Sequence, residues 1–323
     1  MIVTVVVQAH DWQPDRFLPG YQETTIRQPD DYSGKVVCTL VRKQTPCKTN
    51  VGILYVHGYN DYFFQAEEGD TFVDSCYNFY AVDLRKYGRS LSQDQTPYEC
   101  RKISEYFPDI DSALTVMHNS GIDRVILMGH STGGLIVASY MNNRPSPLVK
   151  AVILNSPFLD WNMGGMKRKI GIPLLTWVGS WWPKLSISQG SSTAYAESLL
   201  KQYHGEWDYD TNLKTVTPRK VSAGWIRAIT KAQKALQKHS DITVPVLVLH
   251  SDKSIDAYKW SVDVQHGDIV LNVDHIAAIG SKLGPHVTEC TVKDGVHDLA
   301  LSAPDVRRQF YDDIFAWLNN IGL

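Results

Sequence analysis

Nowhere does the 323-residue sequence hold the ~20 consecutive apolar residues that a membrane-spanning helix requires; even Ile170 to Trp182 is broken by glycines and a proline. An excess of charge of either sign is missing as well. Thirty-two Lys plus Arg stand against 34 Asp plus Glu, a formal net charge of −2, so the basic footprint of a nucleic-acid partner is absent. Cysteine is scarce: Cys38, Cys47, Cys76, Cys100 and Cys290 are scattered and odd in number, with no C-x-x-C pair and no histidine at ligand spacing. They are expected to be reduced, and neither a metal nor an organic cofactor is implied. The opening run Met1 to Val7 is apolar but short and has no basic leader segment, so a cytoplasmic location is expected. No internal repeat or low-complexity tract occurs, and nothing sets an oligomeric state.

What the sequence does contain is a series of short runs rich in Val, Ile and Leu: Val51 to Val56, Tyr77 to Leu84, Arg124 to Gly129, Ala151 to Leu154, Val244 to His250 and Val287 to Val292. Runs apolar at every position suit parallel strands buried on both faces. Helix-like stretches alternate with them, among them Glu99 to Asn119, Gly134 to Met141 and Asp305 to Leu318. The alternation predicts an α/β protein with a mostly parallel, doubly wound sheet. Ahead of it, Gln22 to Gln28 and Lys35 to Arg42 read as an antiparallel hairpin turning within Pro29 to Gly34. The pattern lapses between Pro157 and about Ser240, a stretch holding Trp161, Trp177, Trp181, Trp182, Trp207 and Trp225 of the nine tryptophans. Residues 1–157 and 241–323 are therefore expected to form the core, and 158–240 an aromatic-rich cap lying over the sheet edge.

Chemistry enters at Gly129-His130-Ser131-Thr132-Gly133, a G-x-S-x-G set between a strand-like and a helix-like run. A sharp strand-to-helix turn holds a side chain out at the sheet edge, and small residues two positions either side let the backbone pass. A serine hydroxyl needs an adjacent base, and that base an orienting carboxylate, which on such a sheet follow in the order Ser, acid, His. His297, just beyond the run Val287 to Val292, has the placement of the base. Asp252, Asp256, Asp263 and Asp268 all lie where the acid is needed, and residue type alone does not select among them. An anionic tetrahedral intermediate also needs donors. The backbone N–H groups of Thr132 and of Tyr59, in His57-Gly58-Tyr59-Asn60 after the first buried run, are placed to supply them.

These pieces resemble the α/β-hydrolase superfamily, and within it the branch of monoacylglycerol lipases, lysophospholipases and serine aminopeptidases. The likeness covers about Val51 to Ser156 and Val244 to the C-terminus. It is carried by Leu54-Tyr55-Val56-His57-Gly58-Tyr59, by Val82-Asp83-Leu84-Arg85-Lys86-Tyr87-Gly88-Arg89-Ser90, by the serine motif through Gly134, and by Pro245 to His250 with Gly295-Val296-His297-Asp298. That branch usually has glycine where Lys86 stands, so an altered loop is expected there. The resemblance implies that Asp268, in Asp268-Ile269-Val270-Leu271, is the acid, with Ser254 to Gly267 as an insertion. It further implies a carboxylic-ester hydrolase acting on a small-molecule acyl ester, and the apolar, tryptophan-rich cap suggests a medium or long acyl chain, as in monoacylglycerol or lysophospholipid, with Trp177, Trp181 and Trp182 contacting it. Transient contact with a lipid surface is compatible with such a cap. The same triad also serves acyltransferases, and peptidases that hold a substrate ammonium on carboxylates such as Glu197, Glu206, Asp208 or Asp210. A non-catalytic ligand-binding protein on this fold stays open too, because fold does not fix function.

Overall fold

Successive side chains of a strand point to opposite faces, so a strand apolar at every position feeds two cores at once. In the computed structural model, which describes residues 11–323, Leu54 and Val56 enter one buried cluster while Ile53 and Tyr55 enter another. Val125 and Leu127 are divided from Ile126 and Met128 in the same way, as are Val152 and Leu154 from Ala151 and Ile153. The run Met1 to Val7 lies outside the described residues.

In chain order the strands are β1 (Gln13–Pro14), β2 (Gln22–Asp31), β3 (Gly34–Lys43), β4 (Val51–Val56), β5 (Asn78–Asp83), β6 (Arg124–His130), β7 (Val149–Asn155), β8 (Ser186–Ile187), β9 (Val221–Ser222), β10 (Val246–Ser251) and β11 (Val287–Val292). All but β8 and β9 form one sheet of order β1-β2-β3-β5-β4-β6-β7-β10-β11, parallel from β5 to β11 and antiparallel at the β1-β2-β3 edge and its junction with β5. The helices are α1 (Ala66–Asp74), α2 (Phe107–Asn119), α3 (Thr132–Asn143), α4 (Ile172–Trp181), α5 (Ala194–Leu199), α6 (Ala223–Lys238), α7 (Val273–Gly280) and α8 (Pro304–Asn320). Residues of α1 and α8 close one face of the sheet; those of α2, α3, α6 and α7 close the other. This is the doubly wound arrangement expected from the alternation of runs.

Three local readings change. The helix expected from Glu99 begins only at Phe107, with Pro108 in its first turn; proline lacks an N–H and is tolerated there but not deeper. Helix α6 lies inside the stretch expected to be cap, yet its Trp225, Ile226, Ile229 and Leu236 are buried in the same cluster as α3 and β7. The cysteines are not all reduced: Cys47, before β4, is disulfide-bonded to Cys76, after α1, while Cys38, Cys100 and Cys290 are free. Spacing along the chain carries no trace of a pair whose Cα atoms come within 5.4 Å only once β4 and α1 are packed. Disulfides persist in oxidising compartments, so the cysteines lend no support to a cytoplasmic location.

Candidate active site

The buried strand β6 runs into α3 through one residue, Ser131, whose φ of 52° and ψ of −116° lie outside the regions open to most side chains. Such a conformation costs about 1–3 kcal/mol and persists only when its surroundings hold it. Here the Ser131 N–H donates to the Asn155 carbonyl at 2.9 Å and the Ser131 carbonyl accepts from the Phe158 N–H at 2.9 Å. Gly133 is required for close approach, because a Cβ there would fall on the carbonyl oxygens of Val56 and His57.

Ser131 Oγ lies 3.0 Å from His297 Nε2, and His297 Nδ1 lies 2.9 Å from Asp268 Oδ2. All three residues are buried. The second Asp268 oxygen accepts from the backbone N–H groups of Val270 and Leu271 at 2.7 and 2.8 Å, which fixes the carboxylate's direction. Asp268 reaches His297 because the chain between β10 and Asp268 is a closed excursion. The Asp268 N–H donates to Lys253 O at 3.0 Å and the Ile255 N–H to Asp268 O at 2.8 Å, so residues 254–267 leave and return at one point. Asp252 is engaged elsewhere, accepting from the Asp294 N–H at 2.8 Å.

Behind His297 is a buried polar layer. Asp298 accepts from the Asn155 amide at 2.8 Å and the Gln65 amide at 3.1 Å; burial raises its carboxyl, with Lys214 and these amides opposing. His130 is 4.9 Å from His297, ring to ring. Burial, and then His297 itself, pushes its pKa well below the ordinary value. A neutral His130 does not repel an imidazolium at His297. Ligand atoms of Asp61, His130 and Asp298 come within 4.8 Å of one another, but the Lys214 ammonium already occupies Asp61 at 2.7 Å.

Ser131 and His297 open into a cavity of 350 Å³ that Tyr59 and Thr132 also line. Neither of their N–H groups has an acceptor among the described residues. Phe158, Trp161, Trp225 and Leu271 supply an apolar wall. Trp177, Trp181 and Trp182 do not: they stand 57, 68 and 61 % exposed on and just after α4, outside the cavity lining. Residues 166, 170, 174, 177 and 181 recur at helical spacing, so they form one outward stripe, while Ile172 and Gly179 face inward. Nor do Glu197, Glu206, Asp208 or Asp210 line the cavity. Glu197 accepts from the Thr193 hydroxyl, Glu206 pairs with Arg307, and Asp210 closes a turn on Asn212.

A family model described as serine aminopeptidase, S33, matches residues 48–255. The chain belongs to that family. Phospholipase YtpA of Bacillus subtilis is 27% identical over 176 residues, which cover 50% of this chain and 61% of that protein, less than two thirds of its length. A soluble variant of the monoglyceride lipase of Saccharomyces cerevisiae aligns with a TM-score of 0.65 at 15% identity, over 92% of this chain and 96% of that one. Paleococcus ferrophilus monoacylglycerol lipase gives 0.62 at 19% identity, over 86% and 97%. At these identities the structural likeness is one of fold, the α/β-hydrolase fold.

Within that fold Lys86 stands where the branch usually has glycine. Lys86 takes a φ of 64°, a left-handed conformation that glycine adopts freely. Its buried ammonium reaches Asp31 Oδ2 at 2.7 Å, beside the Tyr32 ring. Sequence reasoning missed Asp61 and Lys214, which are 153 residues apart and carry no local motif. It also passed over Trp161 and Trp225 as wall residues, since nothing in a run of tryptophans says which of them turn inward.

Proposed function

We propose that this protein is a carboxylic-ester hydrolase, acting through Ser131, His297 and Asp268 on lipid-like acyl esters of the monoacylglycerol or lysophospholipid type. The observation that carries the proposal is the unbroken chain from Ser131 Oγ through His297 to Asp268, at 3.0 and 2.9 Å, opening into a largely apolar cavity. Ser131 Oγ attacks the acyl carbon while His297 Nε2 takes its proton, and Asp268 keeps Nδ1 as the donor. The Tyr59 and Thr132 N–H groups donate to the oxyanion, a contribution worth roughly 10²–10³ in turnover per donor elsewhere. The proton on His297 then passes to the departing alcohol. Water attacks the acyl-enzyme by the same route and releases the acid.

The names of the relatives, a phospholipase and two monoacylglycerol lipases, support a lipid ester. The aromatic wall and a volume of 350 Å³, near the lower end of the ~300–1,000 Å³ of ligand sites, support an acyl chain of medium length. The cap of this reading runs from Asp160 to Ser222. Its outward stripe of Met166, Ile170, Leu174, Trp177 and Trp181, flanked by Lys167, Arg168, Lys169 and Lys184, supports transient contact with a lipid surface. Aminopeptidase activity finds no support in Glu197, Glu206, Asp208 or Asp210, since none of them lines the cavity.

A fluorophosphonate probe and p-nitrophenyl esters of graded length test the proposal. Ser131 is expected to be labelled, and kcat/KM to rise from acetate to about the octanoate. No adduct in folded protein would favour a binding module. A clear preference for acetate would remove the lipid assignment, and product transferred to an added alcohol would mark an acyltransferase.

A further inference from the structure

The loop that carries Tyr59 is not held by its own secondary structure. It follows β4 and precedes α1 as irregular chain, and Asn60 within it adopts a φ of 51°. The segment opposite, residues 214–219 of the covering insertion, is irregular as well. Yet three consecutive loop residues each bond to that segment. The Tyr59 hydroxyl donates to Arg219 O at 2.7 Å. Asn60 donates from Nδ2 to Thr215 O at 2.9 Å, while its Oδ1 accepts from the Thr215 N–H at 3.1 Å and the Thr215 hydroxyl at 2.9 Å. Asp61 Oδ1 accepts from Lys214 Nζ at 2.7 Å, and its Oδ2 from the Gly58 N–H at 3.3 Å.

The Lys214–Asp61 pair is the strongest of these links by chemistry. Both side chains are buried, 6 and 1 % exposed, and a buried charge without its partner is costly. Lys214 also lies among the rings of Phe64, Tyr195 and Tyr209, 5.3 to 6.0 Å from their centres. The loop in turn presses on the nucleophile, since a Cβ on Gly58 would come 3.1 Å from the His130 ring and 3.3 Å from Ser131 Cβ. An oxyanion donor acts only if it is fixed at the right place before the charge develops.

We infer that Lys214 is a positioning residue: through Asp61, together with the Thr215–Asn60 bonds, the covering segment holds the Tyr59 N–H in place for the oxyanion. This rests on the esterase reading of Ser131. Closure of the segment and assembly of the oxyanion site are then one event, because the bonds that seat 214–219 are those that fix residues 59–61.

The test compares wild type, Lys214→Arg, Lys214→Met and the double variant Asp61→Asn/Lys214→Met. In the double variant Asp61 is no longer left as a buried charge without Lys214, and Asp298 keeps its bonds from the Asn155 and Gln65 amides. Three quantities are measured on each: kcat and KM for a p-nitrophenyl ester, Ki for an alkyl trifluoromethyl ketone, which forms an oxyanion adduct on serine, and Ki for the matching fatty acid, which does not. The double variant is expected to lose about tenfold or more in kcat, part of the ~10²–10³ of a whole donor. Its KM and fatty-acid Ki should stay within about threefold of wild type, and the ketone Ki should rise by the factor that kcat/KM falls. Lys214→Arg should recover most of the loss. Folded variants in which the ketone Ki stays within twofold of wild type, or in which ketone and fatty acid weaken equally, would overturn the inference. Wild type that forms no ketone adduct overturns the esterase reading itself.

Discussion

At the residue scale, the site depends on a serine in a conformation that its neighbours impose and on a carboxylate that returns to the sheet after a closed loop. Asp252, just after β10, is exposed and Asp268 is buried, and only Asp268 faces His297. On a p-nitrophenyl ester, Asp268→Asn is expected to cost about 10³–10⁴ in kcat, because the imidazole loses its orienting acceptor. Asp252→Asn should stay within about threefold; the reverse order would transfer the role to Asp252. Sequence order and the strand-to-helix setting made Ser131 and His297 legible, since a serine at such a turn and a histidine after the last strand are local features. The acid was not legible from residue type, because the bonds closing residues 254–267 join Lys253 and Ile255 to Asp268 and exist only in the folded chain.

At the element scale, two segments depart from what their sequence alone suggests. Lys86 occupies a left-handed position at a cost of about 1–2 kcal/mol and is held there by Asp31 of the β2–β3 turn. Burial would raise the Asp31 carboxyl, but the Lys86 ammonium and Ser33 together hold it below its ordinary value. A carboxylate depressed in the folded state adds stability above its unfolded pKa of about 3.9 and loses it as the pH falls through the lower folded value. Urea unfolding is therefore expected to weaken from about pH 5 downward. In Lys86→Met that acid dependence should shrink, while stability at pH 7 falls by on the order of 2–3 kcal/mol, less than the ~3–5 of a fully buried pair. An unchanged acid profile in the variant would dissociate Asp31 from the effect. The second segment is α4, whose apolar stripe faces outward rather than into the cavity. Replacing Trp177, Trp181 and Trp182 together by Ala should leave hydrolysis of a soluble short-chain ester within about twofold. Partition onto anionic lipid vesicles should drop at least about tenfold, and equal sedimentation with vesicles would mean the stripe meets no lipid.

For the whole molecule, one sheet buries two cores, and a third, smaller cluster joins the covering segment to it through Tyr62, Phe64, Leu199, Tyr209 and Val296. The Cys47–Cys76 bond closes a 29-residue separation that includes β4, α1 and the loop bearing Tyr59. Restricting the unfolded chain over such a span is worth about 2–4 kcal/mol. Cys47→Ser/Cys76→Ser should lower stability by that amount in urea, and alkylation of unreduced, denatured wild type should modify Cys38, Cys100 and Cys290 alone. Five alkylated cysteines would show the pair unformed.

The sequence by itself determined the middle of the sheet, because strands buried on both faces are apolar at nearly every position and that pattern is visible without a fold; β11, at the edge, is largely exposed. It also singled out Ser131 and His297 as the proposed nucleophile and base, from a short motif and from chain order. Residue type left the aspartate open and only the resemblance pointed to Asp268; tertiary structure alone decided which tryptophans wall the cavity and which face outward, which cysteines join, and that residues 59–61 and 214–219 brace one another. Each of these is a contact between segments distant along the chain, formed by packing against a common sheet, and a local pattern of residues carries no record of it.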